Sequence, residues 1–360
     1  MTPRDIIHHR LQNQQITGAR FKQIEALVSW QGGIQAQDYQ HAKWSIGMRL
    51  PGIADCDVEQ AIADRKIIRS WLMRGTLHIV AAADIHWLLD LVAPRIIASS
   101  KGRNRQLGLD ESTLERSKAI FRRVLEGGKE FTREEMGTSL QQQGISTEGQ
   151  RLYHILHRAG LDQVICFGSR IGKQFTFTLL DECVPNKRSM QREEALGEMA
   201  KRYFLSRAPA TLQDFVWWSG LTVTEAKKGL ALVQHLFREQ ELEGQTYLLP
   251  NDGPDVMQGI DQLLLLPAFD EYVIAYRDRS AVLDASQTKS VISKNGIFYP
   301  IIVHQGKVIG TWKRTIKKDQ VIIHPEPFLP LNEEMKRKIE VAAEGFGGFL
   351  GVAVLVKGLV

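Results

Sequence analysis

A unit of three helices followed by a short strand pair occurs three times in the first 250 residues, and this repetition constrains the fold most. Apolar stripes at helical spacing indicate the helices, and alternating apolar residues around a turn indicate the strand pairs. One internal order repeated at roughly 60–100 residues is typical of a tandem array. Three helices closed by a two-stranded wing are the order of a winged helix-turn-helix, so the sequence predicts three such units.

The second unit shows the pattern in full. Thr132 is a predicted N-cap with Glu135 at the capping-box position, a recognition-type helix covers 147–160, and 164–180 reads as strand, turn and strand. In the first unit, Asp38 is a predicted helix cap, whereas 101–105 is predicted to be a loop.

The tail has a different pattern. From residue 261 onwards, short apolar segments at 261–269, 271–276, 320–325 and 352–358 are strand-like, and 297–314 is a predicted hairpin. Closely spaced short strands favour a small barrel or open sheet. We therefore predict an α+β fold of three tandem winged helices and a small C-terminal β-barrel. The predicted domains are 1–105, 106–185, 190–250 and 256–360, with the polar stretch 251–255 as the boundary before the barrel.

Composition excludes several classes of protein. The 360 residues carry 46 Lys and Arg against 41 Asp and Glu, for a net charge of +5, and 43% are hydrophobic. These are the proportions of a globular protein rather than a disordered, collagenous or disulfide-scaffold chain. The three cysteines and the histidines lack metal-ligand spacing, so we expect neither metal nor cofactor. The first fifteen residues lack an apolar core and the longest apolar run is too short for a bilayer, so we expect no secretory signal, no membrane span and a cytoplasmic location.

Basic residues gather in four places where they could contact a polyanion. The clusters are Lys101, Arg103 and Arg105; Arg116, Lys118, Arg122 and Arg123; Arg277, Arg279, Lys289 and Lys294; and Lys313, Arg314, Lys317 and Lys318. Phosphate contacts require little more than surface Lys or Arg. A solvated charged face is the alternative for each cluster. Combined with winged-helix patterns, the clusters favour nucleic acid as the partner.

The tripeptide Gln35-Ala36-Gln37 follows a glycine pair and precedes the predicted cap at Asp38. Residues i and i+2 point the same way in an extended chain but lie about 200° apart on a helix. If the two glutamines act together, the tripeptide must be extended at a helix entry. Two unrelated surface amides are the alternative.

Further segments carry a family resemblance. Together with Gln35-Ala36-Gln37, the segments Arg74–His78, Leu266–Asp270 and Asp278-Arg279 resemble the winged-helix DNA glycosylases that unhook interstrand crosslinks, the AlkZ/YcaQ-like family. The resemblance covers nearly the whole chain and implies a C-shaped array of three winged helices and a barrel. It implies catalysis by Gln35 and Gln37, and glutamine at the second position resembles the crosslink-resistance branch of the family.

This resemblance implies a monofunctional DNA glycosylase that acts, without a cofactor, on N7-alkylated purines in double-stranded DNA, including crosslinks. Glutamine is a poor general base, but an N7-alkylguanine is already cationic and leaves without a strong acid. The candidate DNA-binding residues are Arg74, His78, Lys101, Arg103, Arg105, Arg279, Lys289, Lys294 and Lys307. His78 has an alternative reading as a buried strand histidine, and the hairpin Tyr299–Trp312 is either a groove-inserting element or part of the core.

A non-catalytic winged-helix DNA-binding protein, such as a regulator, is the rival prediction. Winged helices are common in regulators, and fold alone does not fix function. The Gln-x-Gln motif favours the enzyme, because a regulator does not require it. Nothing in the sequence has the pattern of a dimer seam, so we expect a monomer.

Overall fold

The computed structural model describes residues 1–18, 20–252 and 261–358, which form an α+β protein. The helices of the described residues are α1 (Pro3–Asn13), α2 (Ile24–Gln31), α3 (Tyr39–Gly47), α4 (Asp55–Ala63), α5 (Ile85–Gln106), α6 (Glu111–Leu125), α7 (Arg133–Gln141), α8 (Arg151–Leu161), α9 (Leu180–Cys183), α10 (Arg192–Arg207), α11 (Leu212–Ser219), α12 (Val223–Val233), α13 (Glu271–Ile274), α14 (Thr288–Val291) and α15 (Glu333–Leu350). The strands are β1 (Ile34–Gln35), β2 (Ile67–Trp71), β3 (Leu77–Ala81), β4 (Phe131–Thr132), β5 (Ile165–Ile171), β6 (Gln174–Leu179), β7 (Phe237–Leu242), β8 (Gln245–Pro250), β9 (Leu263–Leu266), β10 (Ile301–His304), β11 (Lys307–Ile316), β12 (Gln320–Pro327) and β13 (Ala353–Val356).

The chain forms two compact units. One unit combines Met1–Val58 with Leu196–Val360, and the other is the continuous segment Glu59–Ala195. The four domains expected from the sequence remain a prediction, because a division into two compact units does not test where each winged helix begins and ends. Residues 253–255 of the expected boundary and 256–260 of the expected barrel domain lie outside the described residues.

The unit Glu59–Ala195 contains a sheet in which five of its strands follow the order β3-β2-β5-β6-β4. Its centre is aromatic: the Trp71 ring lies 5.0 Å from that of Phe167, which lies 4.7 Å from that of Phe177. Helix α8 packs closely on this cluster, since a Cβ at Gly160 would lie 2.6 Å from the Trp71 ring. Edge-to-face and tilted ring pairs of this kind stabilise a core beyond the area they bury.

Most local predictions for this unit are confirmed. Thr132 caps α7 and forms the capping box with Glu135, and β5 and β6 are the expected strand pair. The loop predicted at 101–105 is wrong, because these residues form the last turns of the 22-residue helix α5. A single glycine, Gly102, does not end a helix. The chain instead turns at Gly108, where φ is +63°.

The other unit contains a five-stranded sheet in the order β13-β12-β11-β10-β9. Strand β13 pairs with β12 in parallel, and the remaining neighbours pair antiparallel. Strands β9 and β13 are the two edges of this sheet in the described residues and do not pair with each other. The sheet is therefore an open half-barrel, whereas the sequence predicted a small barrel.

The strand expected at 271–276 is wrong, because residues 271–274 form the short helix α13. Its N-cap is Asp270, whose side chain accepts a hydrogen bond from the Tyr272 amide. A short buried apolar run does not distinguish helix from strand by periodicity alone.

Helix α3 is held on this sheet by close aromatic packing with α15. A Cβ at Gly47 would lie 2.4 Å from the Phe349 ring, so only glycine allows this approach. The Trp44 ring lies 5.2 Å from that of Phe346, and its Nε1 donates to the Leu265 carbonyl at 2.8 Å. The second half of α3 is thereby fixed relative to the sheet. Within the described residues, no helix combines the length and apolar character that a membrane span requires.

Candidate active site

The Gln35-Ala36-Gln37 segment lies between α2 and α3. Gly32 ends α2 with φ of +65°, and Gly33 follows with φ of +132°, which residues bearing a Cβ rarely adopt. Gln35 ends β1, residues 37–38 form a bend, and α3 begins at Tyr39. The segment therefore has the non-helical backbone that cooperation between the glutamines requires.

The two glutamines differ in exposure. Gln35 is only 5% exposed, whereas Gln37 is an exposed residue. The spacing alone predicts a shared direction and does not anticipate this difference. Only Gln37 is broadly open to solvent.

A buried carboxylate fixes the backbone of the segment. The Gln35 amide donates to Glu271 Oε1 at 3.4 Å, and Glu271 Oε2 forms an ion pair with Arg207 Nη2 at 2.6 Å. Trp218 Nε1 also donates to Oε2, at 3.0 Å. Arg207 Nη2 lies 3.5 Å from the Gly33 carbonyl, so the pair holds both ends of β1. Both charged side chains are almost fully buried.

A second buried ion pair lies beside the first. Arg49 donates to both oxygens of Asp270 at 2.8 Å, the bidentate geometry that gives strong, oriented pairs. Arg49 Nε also donates to the Gln14 carbonyl at 3.0 Å, and Gln14 Nε2 donates to the Glu271 carbonyl at 3.4 Å. The adjacent carboxylates Asp270 and Glu271 thus anchor α1, α3 and the glutamine segment in one network.

The sequence indicated only part of this network. Asp270 belongs to a segment that carries the family resemblance, but the sequence does not indicate its ion-pair partner, Arg49. Glu271 and Arg207 were missed, because a buried pair 64 residues apart leaves no local pattern.

Arg74 and His78 lie in the unit Glu59–Ala195. Arg74 is half-buried in a tight turn with φ of +59°. His78 is fully buried in β3, and its Nδ1 lies 3.0 Å from the Thr76 carbonyl. Their contact with DNA or the glutamines remains a prediction, and the burial of His78 favours the strand-histidine reading.

Lys101, Arg103 and Arg105 are exposed at the C-terminal end of α5. Basic side chains in a last turn also complement the helix dipole. Arg103 donates to Gln150 Oε1 at 2.8 Å, next to the start of α8. These residues form a basic surface within their unit.

Arg279 is more enclosed than a simple phosphate contact. Its guanidinium carbon lies 5.2 Å from the ring centres of both Trp217 and Phe298, and its Nε donates to the Val273 carbonyl at 2.9 Å. Burial lowers the pKa of Arg279 to about 10, although Asp214 and Asp278 oppose the shift. The side chain therefore braces the fold around α13.

Lys289, Lys294 and Lys307 are all exposed, and Lys307 begins β11 directly after a packed turn. Lys307 Nζ donates to the Ala281 carbonyl at 2.7 Å. A Cβ at the adjacent Gly306 would lie 2.0 Å from Ile7 of α1, and Tyr272 donates to the Gly306 carbonyl at 2.8 Å. The hairpin Tyr299–Trp312 is thus built into the core at its turn.

The second hairpin of the same sheet, formed by β11 and β12, has an exposed tip. Ile316, Lys317 and Lys318 are all exposed there, and Lys313 on the same strand is 71% exposed. This tip presents basic and apolar side chains together.

No group of three or more His, Cys, Asp or Glu side chains within the described ranges could hold a metal ion. The lysine in α3, Lys43, is buried and forms an ion pair with Asp55 at 2.7 Å. Gln40 also donates to Asp55, at 2.5 Å. Lys43 is therefore engaged by a carboxylate.

Comparisons with known proteins agree with the fold and with the family resemblance. A family model described as DNA glycosylase AlkZ-like matches residues 28–349. The interstrand DNA cross-link repair glycosylase of Streptomyces sahachiroi is 26% identical, over 94% of this chain and 95% of its own. The solved structure of the Streptomyces sahachiroi DNA glycosylase AlkZ shares the fold, with a TM-score of 0.81, 21% identity and 99% of both chains covered.

The fold and the family match define a DNA glycosylase, an enzyme that hydrolyses N-glycosyl bonds. Within that class, the chain belongs to the AlkZ-like family. Membership confirms the resemblance found in the sequence and decides against the non-catalytic regulator.

Proposed function

We propose that this protein hydrolyses the N-glycosidic bond of N7-alkylated purines in double-stranded DNA and unhooks interstrand crosslinks formed through such purines. The observation that carries the proposal is the Gln35-Ala36-Gln37 segment, non-helical at the entry to α3 and tied to the buried Glu271–Arg207 pair. The relative named as an interstrand DNA cross-link repair glycosylase supports the same substrate class.

Two amides suit this substrate. An N7-alkylguanine already carries positive charge, so breaking its bond to C1′ transfers the electron pair to the base and neutralises it. The oxygen of a water bonds to C1′, and a proton of that water passes to solvent. The transition state is oxocarbenium-like, as in glycoside hydrolysis. Preorganised amide dipoles can stabilise the developing charge without acting as strong bases.

The difference in exposure suggests a division of labour. Exposed Gln37 would hold the attacking water through its amide carbonyl, and Gln35 would present a fixed dipole from its buried position. Rigid support from Glu271 favours this role, because catalytic dipoles act best when no reorganisation is needed. The engagement of Lys43 by Asp55 favours a monofunctional reaction over a Schiff base on that lysine.

We also propose that three winged-helix units and the β11–β12 hairpin bind the DNA. A crosslinked base cannot swing fully out of the duplex, so the enzyme must act with the base largely in place. The exposed tip residues Ile316, Lys317 and Lys318 suit contact with a groove and its phosphates. The basic end of α5 offers a second phosphate-binding surface.

The decisive experiment is excision from a duplex carrying one N7-methylguanine and from a duplex carrying one crosslink, scored as alkali-labile breaks and as unhooked strands. We expect wild-type protein to act on both, and Gln35→Ala and Gln37→Ala each to lose about 100-fold or more in rate, as when a single oxyanion-hole donor is removed. Gln142→Ala, at an exposed glutamine in the other unit, is the matched control and keeps the wild-type rate.

Wild-type protein that binds both duplexes but cleaves neither would sink the substrate proposal. Cleavage that survives both glutamine substitutions would leave the substrate class intact and overturn the mechanism.

A further inference from the structure

An ion pair joins the glutamine segment directly to the lysine-tipped hairpin. Arg314 Nη2 on β11 donates to Asp38 Oδ1 at 2.9 Å and to Oδ2 at 3.2 Å. Asp38 is the residue after Gln37, and the two partners are 276 residues apart in the chain. This contact therefore joins the end of the motif directly to the strand that carries the exposed tip.

Asp38 has a second task that does not require Arg314. Its Oδ1 caps α3 by accepting from the His41 amide at 3.0 Å. Serine, threonine or asparagine would satisfy that cap equally well. The charge of Asp38 is therefore surplus to capping, and Arg314 is the cation that uses it.

The surroundings restrict the pair to one geometry. His41 is buried, its Nδ1 lies 3.7 Å from Asp38 Oδ2 and accepts from the Ala268 amide at 2.8 Å. Its ring lies 5.3 Å from that of Trp312, two residues before Arg314 on the same strand. The Arg314 side chain is largely buried, whereas Asp38 stays partly open to solvent. A change in the position of β11 therefore reaches the Asp38 carboxylate through packed groups.

The neighbouring ion pair on β11 is exposed and does not reach the glutamine segment. Lys313 forms an ion pair with Glu326 at 2.5 Å across the strands of the hairpin, and both side chains are largely exposed. That pair connects β11 only to β12. Replacing Glu326 by Gln breaks this ion pair without touching the glutamine segment and without removing a basic side chain.

Building on the proposed glycosylase activity, we propose that Arg314 is a positioning residue: through Asp38 it sets the geometry of the Gln35-Ala36-Gln37 segment and couples that segment to DNA bound at the β11–β12 hairpin. The pair acts on the rate of bond cleavage more than on affinity. A small misplacement of catalytic groups can cost about 100-fold in rate, so one ion pair suffices to matter.

The test compares Arg314→Gln, Asp38→Asn, their double variant and the control Glu326→Gln in full-length protein on the N7-methylguanine duplex. We expect each single variant of the Arg314–Asp38 pair to lower the single-turnover rate at saturating enzyme by about 10- to 100-fold, with the dissociation constant changed less than about threefold. The double variant should be no slower than either single variant, since both remove one contact. Arg314→Lys should recover part of the rate, and Glu326→Gln should keep the wild-type rate.

Hydrogen exchange of residues 34–41, with and without unmodified duplex, gives a readout that does not depend on activity. We expect DNA to slow exchange in wild-type protein and in Glu326→Gln, and to have no effect in Arg314→Gln. Unchanged single-turnover rates, multiplied losses in the double variant, or DNA protection that survives in Arg314→Gln would each overturn the coupling. If wild-type protein cleaves nothing, the proposed function fails, and the exchange result alone decides the coupling.

Discussion

At the level of single residues, the site depends on groups that cannot meet the substrate. Glu271 and Arg207 are almost fully buried, yet they hold the backbone on both sides of β1. Buried charge pairs rarely add net stability, but removing one partner leaves the other uncompensated. The pair therefore fixes the conformation of the segment. Loss of either partner lowers the stability of the fold, because the remaining charge stays buried without a counter-charge.

Replacing Glu271 by Gln should lower the free energy of unfolding by roughly 3–5 kcal/mol, because Arg207 would stay buried without its counter-charge. Urea unfolding of the variant and the wild type measures the difference. Glu326→Gln is the matched control, since Glu326 pairs with Lys313 at the surface and should matter by about 1 kcal/mol or less. Equal effects of the two substitutions would contradict the role given to burial.

His157 makes stability depend on pH. Burial lowers its pKa from 6.5 to about 4, although a hydrogen bond with the Gly75 backbone opposes the shift. In the unfolded chain, His157 therefore binds a proton near pH 6.5, whereas in the folded protein it does so only near pH 4. The free energy of unfolding should fall by up to roughly 3 kcal/mol as the pH drops through this window.

Urea titrations between pH 7 and pH 4.5 check this dependence. His157→Phe keeps a ring against Trp71 and removes the titrating group, so its stability should decline less over the same range. A decline as steep as that of the wild type would show that other groups cause the acid sensitivity.

At the level of elements, two hairpins share β11 and have opposite surroundings. The turn at Gln305-Gly306 is packed on α1 and α13, whereas the turn between β11 and β12 carries the exposed Lys317 and Lys318. The family resemblance made the first hairpin, with Lys307 near its turn, a candidate for the DNA groove. The side-chain contacts favour the second.

Substitution of Lys317 and Lys318 by Ala should weaken binding to unmodified duplex and reduce the slope of log K against log salt by about 2, since two phosphate contacts are lost. Lys307→Ala should reduce that slope less, because the Lys307 ammonium is held to the Ala281 carbonyl beside the packed turn. Binding measured at several salt concentrations distinguishes the hairpins, and the opposite ranking would restore Lys307 as the contact.

Local signals predicted elements well where the chain contains helix-capping residues. The predicted caps Asp38 and Thr132 are both observed. Prediction failed at residues 271–274 and 101–105, where burial and helix length decided the outcome and the residue pattern did not. The motif glutamines could be found from sequence. The ion pairs of Glu271, Arg207 and Arg314 could not, because the partners in each pair are distant in the chain.

At the level of the whole molecule, the two chain ends build one compact unit and the segment Glu59–Ala195 is inserted between them. The glutamine segment belongs to the first part of that divided unit. Its supporting residues Arg207, Glu271 and Arg314 all belong to the second part. The site therefore requires both parts of a discontinuous unit.

This arrangement fixes when the enzyme can mature during translation. Glu271 follows Gln35 by 236 residues, which a ribosome adds in roughly 10–50 seconds at typical elongation rates. The inserted segment is complete before the carboxylate that holds the glutamines has been made. A nascent chain thus cannot present a fully supported glutamine segment until most of the polypeptide has left the ribosome.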